Sequence, residues 1–130
     1  MAQTDVVSAI ERYALAWEAG DIPAIIGCYH DDFTLHYFGA NALSGEHVGK
    51  QAALITLAAF GIRTGRKLVR VVSTMAGETH GAVLAREQLG TGSETVEVDR
   101  LLVYTVCDGL LFECWIYDQD QALIDRLVGV

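Results

Sequence analysis

The stretch "DDFTLHYFGANALSG", from Asp31 to Gly45, sets an imidazole among apolar side chains: His36 follows Leu35 and precedes Tyr37 and Phe38. Histidine is the side chain whose ordinary titration falls nearest neutrality, so it suits reversible proton transfer. An apolar surround keeps an imidazole neutral, which is the form a base needs. The plainer alternative is a strand histidine hydrogen-bonded to backbone. Two other residues carry similar pairs of readings. Tyr13 shares a helical face with Val6, Ile10 and Trp17. It is either a core tyrosine or a hydroxyl donor to a ligand carbonyl, where developing negative charge is stabilised in a dry site. Asp118 follows "CWIY" and precedes a helical segment, so it either caps that helix or, by strand parity with Cys114 and Ile116, faces inward as an acid. Asp120 is the plainer cap.

Other polar residues invite blander readings. "HDD" at His30 to Asp32 lies at a helix-to-strand junction with no second cluster to complete a metal site, so solvated charges are expected and no metal is assigned. Arg100 and Tyr104 share a face with Leu102, and Arg86 shares one with Gln88; surface or interface ion pairs are expected for both arginines. The glycines near residues 39, 45 and 49 lack phosphate-loop spacing, so nucleotide binding is not indicated. Cys28, Cys107 and Cys114 are scattered, with no paired metal spacing, and read as free thiols in a reducing compartment.

The elements that would hold these residues follow from periodicity. Thr4 or Asp5 can cap a first helix that ends at Gly20, and Asp21 caps a second over "IPAIIGCYH". "FTLHYF" is a strand, "GANALSGEH" a loop, and "VGKQAALITLAAF" a third, largely buried helix. "KLVRVVSTMA", "THGAVLAREQLG", "ETVEVDRLLVYTV" and "LLFECWIYD" then alternate with turn signals at Gly77-Glu78, Gly90 to Ser93 and Asp108-Gly109. Short connections predict an antiparallel meander, followed by a short helix over "QDQALIDRLVG". The class is α+β, and a length of 130 residues predicts a single domain over 1–130.

Composition narrows the partners. The formal net charge is −8, which repels nucleic acid and anionic membranes. No apolar run reaches the length of a membrane span, and the N-terminal stretch does not resemble a secretory signal, so a cytoplasmic location is expected. Val96, Val98, Leu101, Val103, Trp115 and Tyr117 supply more apolar surface than one pocket uses, which predicts a homodimer through the outer sheet face.

The two stretches "ERYALAWEAGDIPAIIGCYHDDFTLHYFGANALSG" and "DGLLFECWIYDQDQALIDRLVG", with the helix–helix–strand order and the late meander, resemble the nuclear-transport-factor-2-like (NTF2-like) superfamily. More narrowly, they resemble its SnoaL-like and ketosteroid-isomerase branch. The resemblance implies a cone in which three N-terminal helices pack inside a curved, mostly antiparallel sheet around an apolar pocket. It implies an oxyanion donor at Tyr13 and a general base at His36. The second oxyanion donor of ketosteroid isomerases falls near Leu101 or Leu102, and the last-strand aspartate of SnoaL-type cyclases falls near Ile116, all apolar here, so only Asp118 stands near that last role. Trp17, Phe38, Leu102, Cys114 and Ile116 are the expected pocket wall. The leading expectation is a cofactor-independent enzyme that isomerises, cyclises or dehydrates a small apolar carbonyl compound, steroid- or polyketide-like. A non-catalytic module binding a small hydrophobic ligand, or a dimerising domain with a vestigial pocket, are the rivals.

Overall fold

The computed structural model describes residues 2–130, with side chains from Asp5 onward. The chain runs α1 (Ala2–Ala19), α2 (Ile22–Gly27), β1 (Tyr29–Tyr37), β2 (Gly45–Val48), α3 (Lys50–Thr64), β3 (Lys67–Ala76), β4 (His80–Thr91), β5 (Glu94–Cys107), β6 (Leu110–Asp118) and α4 (Gln121–Val128). The strands form one mixed sheet in the order β2-β1-β6-β5-β4-β3. Only β1 and β6 are parallel; every other neighbouring pair is antiparallel. The sheet wraps α1, which packs against β3, β4, β5 and β6, while α3 packs against β1 and β4. This is the expected α+β architecture, with α4 as a fourth, short helix.

Local chemistry explains the boundaries. Asp21 caps α2 by accepting from the Ala24 amide at 3.2 Å, and Asp120 caps α4 by accepting from the Leu123 amide at 3.0 Å. The β5–β6 hairpin closes with Asp108 and Gly109 at φ 54° and 74°, both positive, as a two-residue turn matched to strand twist requires. Three elements depart from the sequence reading. Helix α1 already starts at Ala2, so Thr4 and Asp5 lie within it. Helix α2 stops at Gly27, because the Cys28 carbonyl accepts from the Leu111 amide at 2.9 Å and Tyr29 opens β1. The segment expected to be loop contains β2, which pairs with the end of β1.

Alternation decides what each strand shows the helices. Tyr29, Phe33, Leu35 and Tyr37 of β1 are buried, as are Val83, Ala85, Glu87 and Leu89 of β4, and Val98, Arg100, Leu102 and Tyr104 of β5. On β6 the buried set is Leu111, Cys114 and Ile116, with the Asp118 side chain continuing it at 2% exposure. The other parity carries Thr34, His36, Leu101, Val103, Glu113, Trp115 and Tyr117 on the outer face. Val98, expected on that outer face, points inward at 5% exposure. No helix among the described residues is long and apolar enough to cross a membrane.

Candidate functional site

Between α1, α2, α3 and the inner sheet face lies a cavity of about 280 Å³. Helix α1 contributes Tyr13 and Trp17, α2 contributes Ile22, Ile25 and Ile26, and α3 contributes Leu54, Leu57 and Ala58. The sheet supplies Tyr29, Phe33, Leu102, Tyr104, Cys114 and Ile116, and Arg66 closes the wall after α3. Apolar burial accounts for this placement. Val6, Ile10, Tyr13 and Trp17 follow helical spacing, so the stripe that sinks Val6 and Ile10 into the core also brings Tyr13 against the sheet.

The polar content of the cavity is concentrated in three phenols. The Tyr13 ring centroid lies 5.9 Å from that of Tyr29 and 5.4 Å from that of Tyr104, both edge-on. Burial pushes the Tyr13 hydroxyl above its ordinary range, partly offset by hydrogen bonding with Tyr104 and Tyr29. Burial likewise raises Tyr29 and Tyr104, and the neighbouring Tyr13 adds to it. All three therefore stay protonated near neutrality, and each hydroxyl keeps a proton it can donate. Burial also pushes the Cys114 thiol up to about 12, against the opposing Tyr104 hydroxyl, so it is no nucleophile at neutral pH.

Arg66 is the charged group of the cavity wall. It follows Gly65, whose left-handed φ of 63° ends α3 and turns the chain into β3. Its Nε donates to Glu87 Oε1 at 2.7 Å, and its guanidinium lies over the rings of Trp17 at 5.4 Å and Phe60 at 5.1 Å. Glu87 in turn accepts from Arg100 Nη1 at 3.3 Å, and Arg100 Nε donates to Asp118. Four ionised groups thus run from beneath the sheet to the cavity wall. Burial alone would lower the Arg100 pKa, but Glu87 and Asp118 outweigh it and hold the guanidinium charged.

The structure separates the sequence-predicted residues. Tyr13, Trp17, Leu102, Cys114 and Ile116 line the cavity together. His36 does not: it lies on the outer sheet face, stacked on Trp115 with ring centroids 4.7 Å apart and planes 6° from parallel. Its Nδ1 is 3.5 Å from Glu46 and its Nε2 3.2 Å from Glu113. The expected alternation holds, with His36 opposite Leu35 and Tyr37, but the face is reversed. Phe33, Leu35 and Tyr37 form the more apolar set of β1 and claim the core. Phe38 is also misplaced by the sequence reading; it is 41% exposed and packs on Tyr117. Asp118 does face inward, yet it does not line the cavity, because Arg100 stands directly opposite it on β5 and takes its charge. Arg100, expected at a surface or interface, is fully buried, whereas Arg86 pairs on the outer face with Glu97 and Asp99.

Three polar wall residues escaped the sequence reading. Tyr104 shares its strand parity with Leu102, a signal that could have found it. Tyr29 is hidden by extending α2 over it, and Arg66 is marked only by the basic run Arg66 to Arg70, which does not point to a cavity wall. Elsewhere, His30, Cys107 and Asp108 bring potential metal ligands together near the β5–β6 turn. His30 Nδ1 accepts from the Asp32 amide at 3.0 Å, so a neutral ring keeps its proton on Nε2 toward Asp108 at 3.6 Å. Neither ring nitrogen then presents a free lone pair to an ion.

Because His36 is outside the cavity, His36→Ala is expected to leave the affinity for a cavity ligand unchanged. Calorimetric titration with 2-acetonaphthone, a neutral aromatic ketone, checks this. A loss of about tenfold or more would restore His36 to the site.

Residues 10–114 match the SnoaL-like domain model. No curated protein matches the chain. Among solved structures, Bal32a from a soil-derived mobile gene cassette is similar with a TM-score of 0.83 at 17% identity, covering 98% of this chain and 99% of that one. An NTF2-like protein from Burkholderia xenovorans LB400 gives 0.77 at 18% identity, covering 99% of each chain. A protein provisionally described as a SnoaL-like polyketide cyclase, from Jannaschia sp. CCS1, gives 0.75 at 16% identity, covering 99% of this chain and 95% of that one. At these identities the likeness concerns the fold.

Proposed function

The chain belongs to the SnoaL-like family, and we propose that its cavity binds a small, mostly apolar ring compound through an oxygen that accepts a hydrogen bond from Tyr13. The observation that carries this is the wall itself. It is apolar apart from three protonated phenols, one thiol and the Arg66 guanidinium. A few placed donors in an apolar cavity orient a ligand and reject molecules that cannot accept from them. The volume of about 280 Å³ lies at the low end of the range for small-molecule sites, which favours a compact ligand.

The acid–base reading, in which a carbonyl compound is isomerised or cyclised, keeps one support and loses another. Three desolvated phenols suit the stabilisation of an enolate oxygen, and a SnoaL-like polyketide cyclase description among the structural neighbours is in keeping with that. A base is the missing part. Among the described residues the cavity wall has no aspartate, glutamate, histidine or lysine, and Cys114 holds its proton. Ligand binding is therefore the reading the geometry supports best.

Titration with 2-acetonaphthone tests it. Tyr13→Phe is expected to weaken binding by roughly three- to tenfold, the worth of one net hydrogen bond. Ala58→Trp, at an exposed wall position on α3, is expected to plug the mouth and abolish binding without overfilling the core. Undiminished binding to Ala58→Trp would place the ligand elsewhere, and failure of the unmodified protein to bind would refute the reading.

A further inference from the structure

The stretch Arg66 to Arg70, "RKLVR", holds three of the nine basic residues of a chain that carries 17 acidic ones. In the fold these three cations gather around one depression of about 630 Å³ beside the cavity. The two spaces share Trp17, Ile22, Ile25 and Arg66, so they meet along a common wall. Glu18 is the one acidic residue on the rim. Among the described residues, Lys67 and Arg70 make no ion pair, and Arg66 spends only its Nε on Glu87. Among the described residues the terminal nitrogens of Arg66 have no hydrogen-bond partner, although its side chain is only 18% exposed.

This arrangement needs a reason in a protein of net charge −8. Two cations without an ion pair, Lys67 and Arg70, set beside Arg66 and against the rest of the charge, create a local positive potential, and low-dielectric walls concentrate it. A half-buried guanidinium with free terminal N–H groups is a donor fork suited to a carboxylate. Leu68 and Val69 lie between the cations on the same rim, so the surface accepts apolar atoms as well as charge.

We propose that the ligand is an amphipathic carboxylate. Its ring system fills the tyrosine-lined cavity and its carboxylate lies at the mouth, held by Arg66 and attracted by Lys67 and Arg70. This rests on the cavity being a ligand site, as inferred above, and adds the ligand's charge and its direction of binding.

The test compares two probes of nearly identical shape, 2-naphthoate and its neutral amide 2-naphthamide, by calorimetric titration of the whole protein. Naphthoate is expected to bind about tenfold or more tightly, the scale of a charge-assisted hydrogen bond. Raising salt to about 1 M should erase most of that advantage. The variant Lys67→Gln/Arg70→Gln changes only rim residues and should weaken naphthoate binding severalfold while leaving naphthamide unaffected. Equal affinity for the two probes, or equal weakening of both by the double variant, would overturn the charge assignment and leave the cavity reading standing. Failure of both probes and of 2-acetonaphthone to bind the unmodified protein would instead remove the cavity reading, and this inference with it.

Discussion

Arg100→Met is expected to remove about 3–5 kcal/mol of folding stability, the scale of stripping one partner from a buried ion pair. Domains of this size are stable by only about 5–15 kcal/mol, so the variant should sit near the edge of folding. Arg100 has no exposed surface, and its guanidinium lies 4.3 Å over the Phe60 ring. Without it, Asp118 loses its cationic partner and Glu87 keeps only Arg66. Neither carboxylate can regain water without opening the sheet from the helices. Urea titration followed by tryptophan fluorescence measures the loss. The double variant Arg100→Met/Asp118→Leu should recover part of it, since it removes the stranded charge together with its partner. A loss under about 1 kcal/mol would equate this network with an exposed pair such as Arg86 with Glu97. The network also affects the ligand site. Glu87 holds Arg66 against the cavity wall, so a change at Arg100 is expected to reach the proposed ligand site through Glu87 and Arg66.

Gly81→Val is expected to cost about 1–3 kcal/mol by overpacking, and to weaken ligand binding as well. Gly81 lies where β4 meets α1. A Cβ built there would come within 2.4 Å of Ile10 Cγ1 and 2.9 Å of Val6 Cγ1. Ile10 and Val6 are 1% and 3% exposed, so neither has room to withdraw. The helix must shift, and Tyr13 lies less than one turn beyond Ile10. Thermal unfolding gives the stability loss, and titration with 2-acetonaphthone gives the change at the site. Unchanged affinity in a folded but destabilised variant would mean that α1 tolerates the shift without moving Tyr13.

Much of this molecule follows from short-range pattern. The helical stripe of Val6, Ile10, Tyr13 and Trp17, the caps at Asp21 and Asp120, and the positive-φ turn at Asp108-Gly109 depend on neighbours a few residues away. The order of elements and the inward parity of Leu102, Cys114 and Ile116 are legible for the same reason. Strand parity also separates His36 from Leu35 and Tyr37, but a period of two leaves open which set faces inward. Comparing the sets could have resolved that: Phe33, Leu35 and Tyr37 offer more apolar surface than Thr34 and His36, and burial favours the larger. The meeting of Tyr13, Tyr29 and Tyr104 is not written in any local stretch. It depends on how α1 crosses the sheet, on α2 ending early enough to release Tyr29 into β1, and on the parallel register of β1 with β6. The chain of charges from Asp118 through Arg100 and Glu87 to Arg66 is equally non-local. Each of these ions is tolerable under cover only because another lies within reach, and that proximity between distant positions is created when the sheet closes over the helices.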